Sequence, residues 1–83
     1  MSFSLITDGL DVSDTVVQTA ESLMDNNVRE LRETYPDNQF QAGLIYVAVV
    51  LDNDSISEKE VAEYYGVSRA DLTRAYNDIV DKM

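Results

Sequence analysis

The stretch "SEKEVAEYYGVSRADLTRAYNDIV", Ser57 to Val80, decides how the chain is read. Ser57 followed three residues later by Glu60 is a capping box, in which the serine hydroxyl accepts a backbone N–H and the glutamate reaches back. Ile56 and Val61 flank it as the hydrophobic staple that fixes the entry of the chain. The device recurs 11 residues on, with Ser68 and Asp71, a weaker stand-in for glutamate, capping the next helix, and Val67 stapled to Leu72. Between the two, Gly66 fits the left-handed residue that closes a helix. Capping chemistry alone thus predicts two short helices and a tight turn. Ala62, Gly66 and Leu72 supply the small residue, the turn glycine and the back-reaching apolar residue of a helix-turn-helix over 57–81.

With Leu72, Ala75, Tyr76, Ile79, Val80 and Met83 facing inward, the outward stripe of the second helix is Ala70, Thr73, Arg74 and Asn77, with Ser68 and Arg69 at its N-terminal tip. These residue types suit a DNA groove. Arginine matches guanine, asparagine matches adenine, and alanine and threonine methyls meet the thymine methyl. Ser68 and the helix N-terminus suit a phosphate, and Lys59 is placed to touch the backbone near the first helix. The same positions also suit a merely solvated face, because six acids flank them.

The rest of the chain is more acidic. The formal net charge is -10, from 16 acidic and 6 basic residues, of which only Lys59 and Lys82 are lysines. Residues 1–56 hold Arg29 and Arg32 against ten acids, while 57–83 hold four bases against six. Positive charge therefore concentrates at the motif. A carboxylate-rich, lysine-poor surface fits a salt-rich, halophilic cytoplasm, where charge is screened within about 3 Å at 1 M salt. An apolar content of 45% with clear periodicity argues for a folded chain rather than a disordered one.

Eighty-three residues make one domain with a small core. The absence of cysteine and histidine excludes a disulfide framework, thiolate metal sites and the commonest acid–base group. Serines, threonines and lone carboxylates without a positioned base or phosphate loop point away from an enzyme, and no cofactor or metal is expected. "DNDS", Asp52 to Ser55, lacks the glycine and closing glutamate of a calcium loop and reads as a turn. The start "MSFSLITDGLDVSD" has no basic segment, and the longest apolar run, Ala42 to Leu51, is far short of the roughly 18 residues of a membrane span. These features predict a cytoplasmic protein with no membrane partner; Met1 and the staged capping fit a complete domain.

Upstream, Val16, Val17, Ala20, Leu23, Met24, Val28, Leu31 and Tyr35 recur at three- and four-residue steps. They predict one helix over 14–34, capped by Ser13 and ended before Pro36. Phe3, Leu5, Ile6 and Leu10 read as a packing arm stopped at Gly9. "NQFQAGLIYVAVVLDND" is apolar nearly all round; its valines favour strand, but a lone strand would leave its backbone unpaired, so a central helix is expected, with Ala42, Gly43 and Ala48 where neighbours come close. Tyr64, Tyr65 and Tyr76 fit core packing better than base stacking. Arg29 and Arg32 are expected to pair with Glu33 or Asp25.

The order "GLDVSDTVVQTAESLM", then "FQAGLIYVAVVLDNDSISEKEVAEYYGVSRADLTRAYNDIVDKM", resembles a cyclin-like repeat of archaeal transcription factor B, the counterpart of eukaryotic transcription factor IIB, and in particular its C-terminal repeat. The likeness runs over about 11–83 and is most specific from Gly43 to Met83. The family's zinc ribbon and second repeat have no counterpart here. Its "T.R.RY" type pattern is replaced by Leu72-Thr73-Arg74-Ala75-Tyr76. The resemblance implies an all-α, cyclin-like bundle of four to five helices ending in a helix-turn-helix. It also implies transcription initiation as the setting, with double-stranded DNA and TATA-binding protein or other transcription machinery as partners. One repeat with few bases further suggests a homodimer or a docked partner. The alternative is a cyclin-like module that binds protein and not DNA, its acidic half meeting a basic surface.

Overall fold

The computed structural model describes residue 10, residues 12–24 and residues 27–83, with residues 27 and 29 described for the backbone only. Among the described residues four α-helices and one 3-10 segment follow in order: α1 Asp14–Leu23, the 3-10 segment Asn27–Arg32, α2 Asp37–Leu51, α3 Glu58–Tyr65 and α4 Arg69–Lys82. The architecture is an all-α bundle, and no strand occurs among the described residues.

The near-continuous apolar run is α2. At 1.5 Å per residue it is about 22 Å long, against extents of 27 × 25 × 23 Å, so it threads the whole bundle. From Phe40 to Val49 every residue but the half-buried Tyr46 is buried. Burial on all sides, with no strand among the described residues to pair with, overrides the strand preference of its valines. The other four elements all pack on it. The tightest seat is with α4: a Cβ built on Gly43 would lie 2.7 Å from the Ala75 Cβ and 3.0 Å from the Tyr76 backbone nitrogen. One turn on, the Tyr46 and Tyr76 rings meet at 5.3 Å.

The helix expected over 14–34 is interrupted. α1 ends at Leu23, and Val28 and Leu31 are carried by the 3-10 segment instead. The sequence that follows α1, Asp25-Asn26-Asn27, is made of residue types that favour turns and caps over helix interiors. The apolar stripe survives it: Met24, Val28 and Leu31 are all buried. The tighter 3-10 winding eclipses residues three apart, which aims Val28 and Leu31 together.

Asp52 and Asp54 tie α1 to the end of α2. The Thr19 hydroxyl donates to both Asp52 carboxylate oxygens at 3.1 and 2.9 Å. Asp54 accepts from the Ile56 N–H at 3.3 Å and the Ser13 N–H at 3.5 Å. The Ile56 N–H above all holds the Asp54 carboxyl below its ordinary value. The "DNDS" stretch is accordingly a turn: Asn53 sits at φ 56, and the Asp54 and Asn53 N–H groups donate to the Val49 and Val50 carbonyls at 2.9 and 3.3 Å, closing α2.

Phe3, Leu5, Ile6 and Gly9 of the expected packing arm lie outside the described residues, while Leu10 is half-buried against the core. Asp25 and the Arg29 side chain, part of the expected upstream ion pairs, are likewise outside them. Among the described residues no helix is long and apolar enough to cross a membrane.

Candidate nucleic-acid interface

The helix-turn-helix is assembled by the local chemistry its sequence specifies. The Ser57 and Ser68 hydroxyls accept from the Glu60 and Asp71 N–H groups, each at 3.1 Å, so both helices start where capping predicts. Ile56, Val61 and Leu72 are buried, and Val67 is half-buried. Gly66 ends α3 at φ 69 and ψ 34, with the Val67 N–H donating to Ala62 C=O at 3.0 Å and its own N–H to Glu63 C=O at 3.2 Å. This is the Schellman closure. A Cβ at Gly66 would meet nothing within 4 Å, so the backbone angle, not space, calls for glycine.

Two side chains from the first turn of α2 hold this unit from behind. Asn38 Nδ2 donates to the Tyr65 carbonyl at 3.2 Å, and Gln39 Nε2 donates to the Asp71 carbonyl at 3.0 Å. The end of α3 and the start of α4 are thus referenced to the central helix as well as to each other.

On α4, Leu72, Ala75 and Ile79 are buried, and Ala70, Thr73, Arg74 and Asn77 are exposed. At 3.6 residues per turn the four exposed positions fall within an arc of about 100°. Ser68 and Arg69 are exposed at the N-terminal tip, and Lys59 is exposed on the first turn of α3. The Ser68 oxygen is already engaged as the cap of α4. Val80 and Met83, expected inward, are instead 45% and 52% exposed. Val80 falls one residue beyond the buried Leu72–Ala75–Ile79 stripe, and Met83 follows the last helical residue, where no described element covers it.

The electrostatics differ from a plain basic stripe. Arg69 Nε lies 2.9 Å from Glu58 Oε1, and Lys82 Nζ lies 3.7 Å from Glu30 Oε2. Lys59 and Arg74 enter no ion pair among the described residues. The Tyr35 hydroxyl donates to Asp78, one turn beyond Arg74. Burial first, and then this bond, push the Tyr35 phenol up to about 12, with the nearby Arg74 charge acting in the opposite sense. Arg74 is therefore the single cation of the outward stripe, set close to the Tyr35–Asp78 pair. Tyr64 and Tyr65 meet edge-on at 4.9 Å and both are half-buried; burial, and then Tyr64, raise the Tyr65 phenol, as expected of packing residues.

Besides Asn38 and Gln39, Glu58 is a residue of this site that sequence reasoning missed. The signal was present: the 11-residue step from Ser57 to Ser68 also separates Glu58 from Arg69. Each is the first residue of its helix, and the two starts meet across the turn. The chain matches no protein-family model, no curated protein and no solved structure.

Proposed function

We propose that the chain is a small, transcription-factor-B-like protein that binds double-stranded DNA through α3 and α4 and acts in transcription initiation. The observation that carries the reading is the exposed stripe Ala70, Thr73, Arg74 and Asn77 on a helix whose opposite side is locked into the core. In this reading α4 enters the major groove with its N-terminal residues toward the base edges, and Lys59 contacts a phosphate. Few phosphate contacts and a salty cytoplasm leave little affinity from counterion release. Base contacts and a second DNA-bound protein, such as TATA-binding protein, or a second copy of the chain supply the rest. The test is a fluorescence titration of duplexes selected from a random pool, in high potassium, with the parent chain and the Arg69→Ala and Arg74→Ala variants. Saturable, sequence-dependent binding that both variants weaken supports the proposal; no such complex sinks it.

A protein-binding role is favoured by two observations: the Arg69 charge is already matched by Glu58, and acids outnumber bases over 57–83. Calorimetric binding to purified TATA-binding protein in the absence of DNA, combined with no duplex binding, supports that alternative.

A further inference from the structure

We infer that Glu58 is a positioning residue that presents Arg69 to a guanine in the major groove, so that the tip of α4 selects a G·C pair. The inference rests on the DNA-binding reading and adds to it the base that is recognised and the second residue that recognition needs. Three features of the pair carry it. The Glu58 carboxylate meets Arg69 at Nε, the inner nitrogen of the guanidinium, at 2.9 Å. The two terminal nitrogens are the donors whose spacing matches guanine O6 and N7, and an Nε contact leaves that edge of the fork for the base. The Glu58 side chain is 23% exposed and that of Arg69 is 69% exposed, so the carboxylate is the anchored member and the guanidinium the projecting one. Arg69 is the first residue of α4, at the end of the helix whose residues reach base edges in a helix-turn-helix.

A carboxylate that only neutralised Arg69 would weaken binding to every duplex alike. One that orients it acts on discrimination. A free arginine must lose rotamer freedom to form a bidentate contact, whereas one held at Nε has part of that ordering done before DNA arrives. Replacing Glu58 by glutamine removes a negative charge near the phosphates and slackens the hold on Nε together. Affinity for unrelated duplexes then rises or stays level while preference for the guanine falls, and these opposite movements separate positioning from simple charge repulsion.

The experiment takes the duplex selected by the parent chain and replaces each guanine in turn by 7-deazaguanine, which lacks the N7 acceptor. Dissociation constants are measured in high potassium for the parent chain, E58Q, E58A, R69A and R74A, and thermal melting of each variant confirms that it is folded. The parent chain is expected to lose about tenfold in affinity at one guanine, the scale of a good bidentate contact. R69A abolishes that loss, E58Q and E58A reduce it to about threefold or less, and R74A retains it. Full guanine discrimination in both folded Glu58 variants overturns the inference while leaving DNA binding intact. If the parent chain forms no saturable complex with any duplex, the DNA-binding reading falls and this inference with it.

Discussion

Gly43 sits in the middle of α2, where helix propensity and packing make opposite predictions for an added methyl group. Glycine to alanine inside a helix gains about 1 kcal/mol of propensity. Here the new Cβ would stand 2.7 Å from the Ala75 Cβ, 3.0 Å from the Tyr76 nitrogen and 3.1 Å from the Ala75 carbonyl carbon. Carbon atoms in contact settle near 3.5–4.0 Å, so α4 must retreat by about 1 Å. Two of the three atoms are backbone, and no rotamer change can relieve them. Overpacking of a filled core costs about 1–3 kcal/mol, and a clash against backbone belongs at the upper end. Setting about 3 kcal/mol against about 1 leaves Gly43→Ala destabilised by roughly 2 kcal/mol.

For a domain of this size a loss of 2 kcal/mol lowers Tm by about 8–16 °C. The assay is thermal and urea unfolding followed by far-ultraviolet circular dichroism in concentrated potassium chloride. Gly66→Ala is the internal control, because its methyl group meets nothing within 4 Å and its cost comes only from φ 69. That variant should lose about 1–2 kcal/mol, and Gly66→Asn should lose less, since asparagine tolerates the left-handed region. The double variant Gly43→Ala/Ala75→Gly removes the 2.7 Å contact but keeps the backbone ones, so it should recover only part of the loss. An alanine at position 43 that leaves Tm unchanged or raises it refutes the close α2–α4 seat, and with it the rigid backing of the outward α4 face.

Ser57→Ala and Ser68→Ala should each cost about 1 kcal/mol, read from the same unfolding curves, because each removes a hydroxyl that accepts a first-turn N–H at 3.1 Å. The Asp54 carboxyl is held below its ordinary value in the folded chain, so its contribution is present above the unfolded value and lost as pH falls through the folded one. Asp54→Asn should therefore flatten the acid side of the stability-against-pH curve and leave its neutral plateau shape alone. The Tyr35 phenol, raised to about 12, has the opposite sign: its contribution is full below the ordinary tyrosine value and disappears as pH rises through about 12. Tyr35→Phe should remove one tyrosinate from the absorbance step near pH 12, and an unchanged step refutes the raised Tyr35 phenol that burial and the Asp78 bond together produce.

What the sequence made legible was chemistry whose partners lie within about six residues of each other. The three serine caps, the Gly66 closure and the turn after α2 need no information from elsewhere in the chain, and all were readable. The buried character of Ala42 to Val49 was legible too, because a run apolar on every side has nowhere to go but the core. The break after α1 was misread because the apolar spacing continues across Asp25, Asn26 and Asn27, and burial of Val28 and Leu31 is served equally well by a 3-10 turn. Asn38, Gln39 and Glu58 were passed over for a different reason. Each acts on a group brought near by the packing of helices, over separations of 27, 32 and 11 residues. Polarity alone does not distinguish such residues from solvated ones.

That distinction bears on the apparent conflict between a net charge of -10 and the proposed DNA binding of the helix-turn-helix. Several acids of the C-terminal segment have structural posts. Glu58 and Glu60 stand in the first turn of α3, and Asp71 in the first turn of α4, where the helix macrodipole favours negative charge. Glu58 also holds Arg69, and Asp78 holds the Tyr35 hydroxyl. Asp81 lies on the outward side of α4, three turns from the N-terminal tip where helix-turn-helix proteins read bases. With the remaining acids mostly upstream of residue 57, the sum of charges says little about the potential at Arg69 and Arg74. Under the proposed DNA-binding reading, the question is whether Glu58 competes with DNA for Arg69 or aims it, and the guanine-substitution ratio separates those two outcomes where total affinity does not.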